Sequence, residues 1–331
     1  MRPHTLLTLP VALPVAALLA GLLSYATPAS ATTTGAATAA AATTVEVTTA
    51  KELKAALTAA APGQTIHLAD GTYTGNFKVT VSGTAAERIT LTGSSNAVLT
   101  SSGGYGLYLN GASYWTVKGV SVTGGQKGIV TDAAAHVVID SVTVHGLQME
   151  GVHFRTSSTD GVLKNSRIYD TGLQRPGYGE GVYVGTANTL TDKSDRVQIL
   201  DNVIGPNIGA ENIDLKEGTT GGLVSGNTFD GSGLSMTNYD DSWIDVKGNG
   251  YTITGNTGAH TLNDGYQTHT QQPGWGCGTV FRDNTSDLTG ATGLTRTAIY
   301  VTNYSADCPT TVYASNTLTG GTSLTNIPVT P

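Results

Sequence analysis

Leu163-Lys164-Asn165-Ser166, Leu200-Asp201-Asn202-Val203, Val224-Ser225-Gly226-Asn227, Ile253-Thr254-Gly255-Asn256, Phe281-Arg282-Asp283-Asn284 and Tyr313-Ala314-Ser315-Asn316 repeat one pattern. In each, an apolar residue is followed within three places by an asparagine. From Asn165 to Asn316 the successive steps are 37, 25, 29, 28 and 32 residues, the length of one three-stranded coil with loops of varying size. Asparagine suits the corner of such a coil because it tolerates turn conformations and hydrogen-bonds to its neighbours. A propeller repeats on a similar length, but its tight two-residue hairpins and regular aromatic marks are missing. The pattern therefore predicts an all-β, right-handed parallel β-helix with its Val, Ile and Leu inside. Ahead of it, Thr49-Ala50-Lys51-Glu52 has capping-box spacing, and Leu53, Ala56, Leu57 and Ala60 share one helical face. This N-terminal α-helix would cap the open end of the coil.

Composition agrees. The chain has 331 residues, 43 of them glycine, with 12% charged residues and a net charge of -7. Too few charged helix formers are present for a coiled coil, and the acidic balance argues against nucleic acid as a partner. Residues 1–31 read as a signal peptide: Arg2, an apolar run from Leu6 to Leu23, and the small-residue exit Ala29-Ser30-Ala31. Residues 32–44 read as a Thr/Ala-rich flexible leader and 45–331 as a single β-helix domain. No later segment is apolar enough to span a bilayer, so the expectation is a secreted, extracellular monomer without a membrane partner. Cys277 and Cys308, the only cysteines, are expected to form one disulfide.

Between the asparagines runs a second column: Glu150-Gly151-Val152-His153-Phe154-Arg155, Glu180-Gly181-Val182-Tyr183-Val184-Gly185, Glu211-Asn212-Ile213-Asp214-Leu215-Lys216, Ser242-Trp243-Ile244-Asp245-Val246-Lys247 and Asp264-Gly265-Tyr266-Gln267-Thr268-His269. Apolar third and fifth places point inward, so the fourth and sixth point outward together. One outward file reads His153, Tyr183, Asp214, Asp245, Gln267, and its neighbour reads Arg155, Gly185, Lys216, Lys247, His269. With rungs about 4.8 Å apart, these side chains would share a groove. An isolated Asp-Lys pair reads as a solvated surface ion pair. Five rungs of ionisable residues, flanked by Tyr239, Trp243, Tyr266 and Trp275 as sugar-stacking rings, read as a binding site. Glu150, Glu180, Glu211 and Asp264 form an acidic file whose repulsion calls for nearby cationic side chains, raised pKa values or a hard cation such as calcium.

The opening Glu52-Leu53-Lys54-Ala55-Ala56-Leu57, with Ala61-Pro62-Gly63-Gln64-Thr65-Ile66 and Leu68-Ala69-Asp70-Gly71-Thr72-Tyr73, resembles secreted pectate-lyase-like β-helix proteins, especially the alginate lyase and chondroitinase B group. That resemblance implies β-elimination on an acidic polysaccharide, with Lys216 or Lys247 at the basic position and Glu211 and Asp214 at the acidic, calcium-binding one. The Lys-Ser signature of the alginate lyase group is replaced by Lys216-Glu217-Gly218, and the paired-Asp motif of the polygalacturonase hydrolases is absent.

Elimination needs a cation to neutralise the sugar carboxylate, a base for the C5 proton and an acid for the leaving oxygen. Arg155 or calcium is the candidate neutraliser, Lys216 or Lys247 the base, and Tyr183 or His153 the acid. Asp245, Trp243, Tyr266, Gln267, His269 and Glu180 are the candidate substrate contacts. Two other readings stand beside the lyase: a glycoside hydrolase using Asp214 with Asp245 or Glu180, and a non-catalytic glycan-binding β-helix.

Overall fold

The computed structural model describes residues 43–331. The expected signal peptide and most of the expected leader fall outside the described residues. Three sheets of 12, 10 and 10 strands, every named pair parallel, wind as one right-handed coil. The first sheet runs from Thr44–Val47 to Val329–Thr330, the second from Phe77–Val79 to Ser323–Thr325, and the third from Gly71–Thr74 to Thr317–Gly320. Strands of two to six residues suffice because each ladder is completed by the coil above and below.

Helix α1, Ala50–Thr58, forms where the capping box predicts it, with Thr49 accepting from the Glu52 amide and the Glu52 carboxylate accepting from that of Thr49. Its apolar face buries Leu53 and Leu57 against the first coil. Strand ends that would otherwise be open are thereby covered. No helix among the described residues is long and apolar enough to cross a membrane.

The asparagine column is a continuous ladder. Each Nδ2 donates to the next Oδ1: Asn202 to Asn227 at 2.9 Å, Asn227 to Asn256 at 2.9 Å, Asn256 to Asn284 at 2.9 Å, and Asn284 to Asn316 at 2.8 Å. Asn165 is not in it. The strand pairing sets Leu163 opposite Ile199, so Ser166 faces Asn202 and donates its amide to Oδ1 at 2.9 Å. Asn165 turns outward at φ 51° and binds Asp140. The expected disulfide between Cys277 and Cys308 is present.

Candidate functional site

The second sheet carries the predicted files in the predicted register: His153 pairs with Tyr183, Tyr183 with Asp214, Asp214 with Asp245, and Asp245 with Gln267. The apolar third and fifth places, from Val152 and Phe154 to Ile244 and Val246, are buried. Burying each such side chain contributes roughly 1.5–3 kcal/mol, and a one-residue slip would turn the whole set outward.

A groove of about 430 Å³ opens on this face. Its floor is Glu180, Glu211, Asp214, Lys216, Asp245, Lys247, Gln267 and His269, and its wall includes Asn238, Tyr239, Asp241 and Gln271. Glu180, Glu211 and Asp214 each offer an oxygen within 4.8 Å of the others. Burial, and then the Asp214 and Glu150 charges, push the Glu180 carboxyl up to about 7. Burial with Asp245 and Asp214 pushes Glu211 well above the usual carboxylate range. Three crowded oxygen donors, two of them reluctant to ionise without a cation, fit a hard metal such as calcium.

The two lysines differ. Lys247 is buried between Asp214 (3.0 Å) and Asp245 (2.8 Å). Burial opposes its charge, yet Asp214, Asp245 and Glu211 raise its pKa far above normal, so it stays an ammonium and is not the base expected from sequence. Lys216 has one carboxylate partner, Asp214 at 2.5 Å, and its Nζ lies 4.9 Å from the centre of the Tyr183 ring. Burial together with Asp214 and Glu180 raises the Tyr183 pKa, which keeps the phenol protonated. Although burial works against it, Lys247 and His269 hold the Asp245 carboxyl far below the ordinary range.

His153 lies outside the groove. It is 4% exposed, with Nδ1 3.2 Å from the Lys127 ammonium and Nε2 donating to the Gly185 carbonyl at 2.9 Å. Burial and Lys127 depress its pKa to about 4, so at neutral pH it is an uncharged imidazole and lacks the imidazolium proton an acid would give. Arg155 is also elsewhere, gripping Asp132 through Nε at 2.6 Å and Nη2 at 3.1 Å. Trp243 and Tyr266 are fully buried core rings rather than sugar platforms. The chain turns a corner just before the third place, so second-place side chains also point inward. Trp243 fills the space over Gly258 and Gly265, where a Cβ would meet its ring at 2.5 and 2.7 Å. Tyr239, by contrast, stands 85% exposed on the groove wall, while Trp275 is half-buried beside Lys193.

Asp241 is a groove residue that the strand pattern alone does not mark. It accepts from Asn263 at 2.9 Å and Gln267 at 2.8 Å, and burial lifts its pKa to about 6. Its place just before the site strand, next to Ser242, is the one available signal.

Residues 64–204 match the family described as right handed beta helix region. Pectate lyase L of Paenibacillus polymyxa (strain SC2) is 30% identical over 245 residues, covering 70% of this chain and 47% of that protein. The chain thus spans about half the length of that curated relative. Among solved structures, an alginate lyase from Paenibacillus sp. str. FPU-7 superposes with a TM-score of 0.80 at 38% identity, covering 87% of this chain and 99% of the other. Pectate lyase Pel9A superposes at 0.63 with 18% identity, over 83% of this chain and 72% of the other, a likeness of fold alone.

Proposed function

This chain belongs to the pectate-lyase-like family of right-handed parallel β-helix proteins, and from that premise we propose that it is a secreted polysaccharide lyase cleaving a uronic-acid-containing glycan by β-elimination in the groove of the second sheet. The observation that carries the reading is Lys216, poised over the protonated Tyr183 and beside the three-carboxylate cluster. In this reading Lys216 Nζ takes the C5 proton, and the Tyr183 hydroxyl donates a proton to the departing O4 oxygen as the C4–O4 bond breaks and the C4=C5 double bond forms. Lys247 pairs with Asp214 and Asp245 and fixes them beneath the reacting sugar.

Glu180, Glu211 and Asp214 would hold calcium, which when bound supplies positive charge against the sugar carboxylate. Gln267, His269 and Tyr239 line the groove as substrate contacts. Alginate and pectate lead the candidate substrates because the relatives are named for them.

Glu180, raised to about 7 beside Asp214, also favours an acid and carboxylate pair of the hydrolase kind. Against that, Lys216 and Lys247 both occupy Asp214. Absorbance near 235 nm and reducing ends, followed together on alginate and pectate with and without EDTA, separate the two. A lyase gives rising absorbance that Lys216→Ala abolishes, by at least about a hundredfold, and that EDTA suppresses. Reducing ends without absorbance would overturn the reading.

A further inference from the structure

Four strands of the second sheet lie on the helix-capped side of the groove, and their outward file continues that of the site. Lys78 pairs with Tyr108, Tyr108 with Val130, Val130 with His153, and His153 with Tyr183. Tyr108 is thus three strands from Tyr183, roughly 14 Å along the sheet. A second cavity of about 370 Å³ opens there, lined by Asn76, Lys78, Tyr105, Tyr108 and Gln126 among others.

The two tyrosines are held rigidly. Their rings meet edge to face, with centroids 5.2 Å apart at 85°. The Tyr108 hydroxyl donates to Asp132 Oδ2 at 2.5 Å, while Arg155 donates to the Tyr105 hydroxyl at 3.1 Å and clamps the same Asp132. Arg155, without a place in the catalytic groove, is here the strut behind both rings. In front of them, exposed Lys78 holds its ammonium 5.5 Å from the centre of the Tyr108 ring and makes no ion pair among the described residues. Between cavity and groove lies a buried floor in which Lys127 pairs with Glu150 at 2.9 Å and sits 3.2 Å from His153 Nδ1.

We infer that Tyr105, Tyr108 and Lys78 form a distal subsite for a uronate residue of the same glycan chain that is cleaved in the groove. The inference rests on the lyase reading and extends it. Pre-oriented ring faces suit a sugar face, the amides of Asn76 and Gln126 suit its hydroxyls, and a free ammonium suits a carboxylate. A neutral glycan would make no use of Lys78. The spacing asks for a substrate several residues long, so the enzyme prefers longer chains over fragments that reach only the groove.

The test is calorimetric binding of trimeric and hexameric mannuronate and galacturonate to Lys216→Ala protein, followed by 235 nm kinetics in the cleaving chain. Lys78→Ala and Tyr105→Ala should each weaken hexamer binding by about tenfold relative to trimer, and Lys78→Arg should restore it. In the cleaving chain the same changes should raise KM for hexamer while kcat stays within about twofold. Lys78 is at the surface, so its variant remains informative if Tyr105→Ala misfolds. Equal effects on trimer and hexamer, no effect on either, or no hexamer binding by the parent would overturn the subsite. If no uronan is eliminated but Lys78→Ala still weakens hexamer binding, the lyase reading falls and the subsite stands. If uronan is eliminated and the hexamer-to-trimer ratio is unchanged in Lys78→Ala, the subsite falls and the lyase reading stands.

Discussion

Lys216 and Lys247 occupy equivalent places on neighbouring strands, and what separates a candidate base from a buried counter-ion is the number of carboxylates each meets, one for Lys216 and two for Lys247. Sequence periodicity says which way a side chain points; it does not say how deeply loops bury it. The same limit explains His153 and Arg155, correctly placed on the outer face yet consumed by Lys127 and Asp132. Removing Lys247 leaves Asp214 and Asp245 buried without their shared cation, so Lys247→Ala should cost about 3–5 kcal/mol in urea unfolding. Lys216→Ala should cost clearly less, because Asp214 keeps Lys247. His153 adds a pH dependence. Its unfolded pKa is 6.5 and its folded one about 4, so between those values the unfolded chain takes up a proton that the native chain refuses. The contribution is complete above about pH 6.5 and is lost as pH falls towards 4, by about 3 kcal/mol. Urea midpoints at pH 7 and pH 4.5 should therefore fall further apart in the wild type than in His153→Gln.

Among elements, the register of the site strands is legible in the sequence because alternating apolar places leave one way to face the core. The asparagine ladder is legible too, except at its first member. Asn165 sits one place early, and the residue in register is Ser166, which accepts the Val142 amide through Oγ at 3.1 Å. Trp243 escapes the pattern because a strict two-residue period breaks at the coil's corner, whereas Tyr266, in the third place, is inward as the alternation itself requires; the glycines at Gly151, Gly181 and Gly265 in the second place are the mark of an inward, crowded column. Within the ladder, Asn256 Oδ1 accepts both the backbone amide and the Nδ2 of Asn227 at 2.9 Å. Asn256→Ala leaves the buried Asn227 amide without its acceptor and takes one of three acceptors from Asn227 Nδ2, and should destabilise by about 1–3 kcal/mol in urea unfolding. Asn256→Ser, copying position 166, should recover part of that loss by accepting the backbone amide.

At the scale of the whole molecule, each coil touches its neighbours and little else, so stability is distributed along the axis rather than pooled in one centre. The Cys277–Cys308 bond acts within that scheme on the last coils, closing a loop with a sequence separation of 31 residues, a constraint of about 3–4 kcal/mol on the unfolded chain. Cys277 also ties the groove to this end: its amide donates to Asn249 Oδ1 at 2.9 Å, and Asn249 Nδ2 donates to the Gly274 carbonyl at 2.9 Å, fixing the segment that follows His269 and carries Gln271. Breaking the bond with Cys277→Ser and Cys308→Ser together should therefore have a local signature. Amide exchange should accelerate from Val280–Arg282 to Val329–Thr330, while Trp115–Lys118 and Val138–Asp140, several coils away, keep their protection. KM should rise through the loosened groove wall with little change in kcat. Uniform loss of protection along the whole coil would instead mean that the β-helix unfolds as one cooperative unit, and nearest-neighbour contacts alone would then be insufficient to describe it.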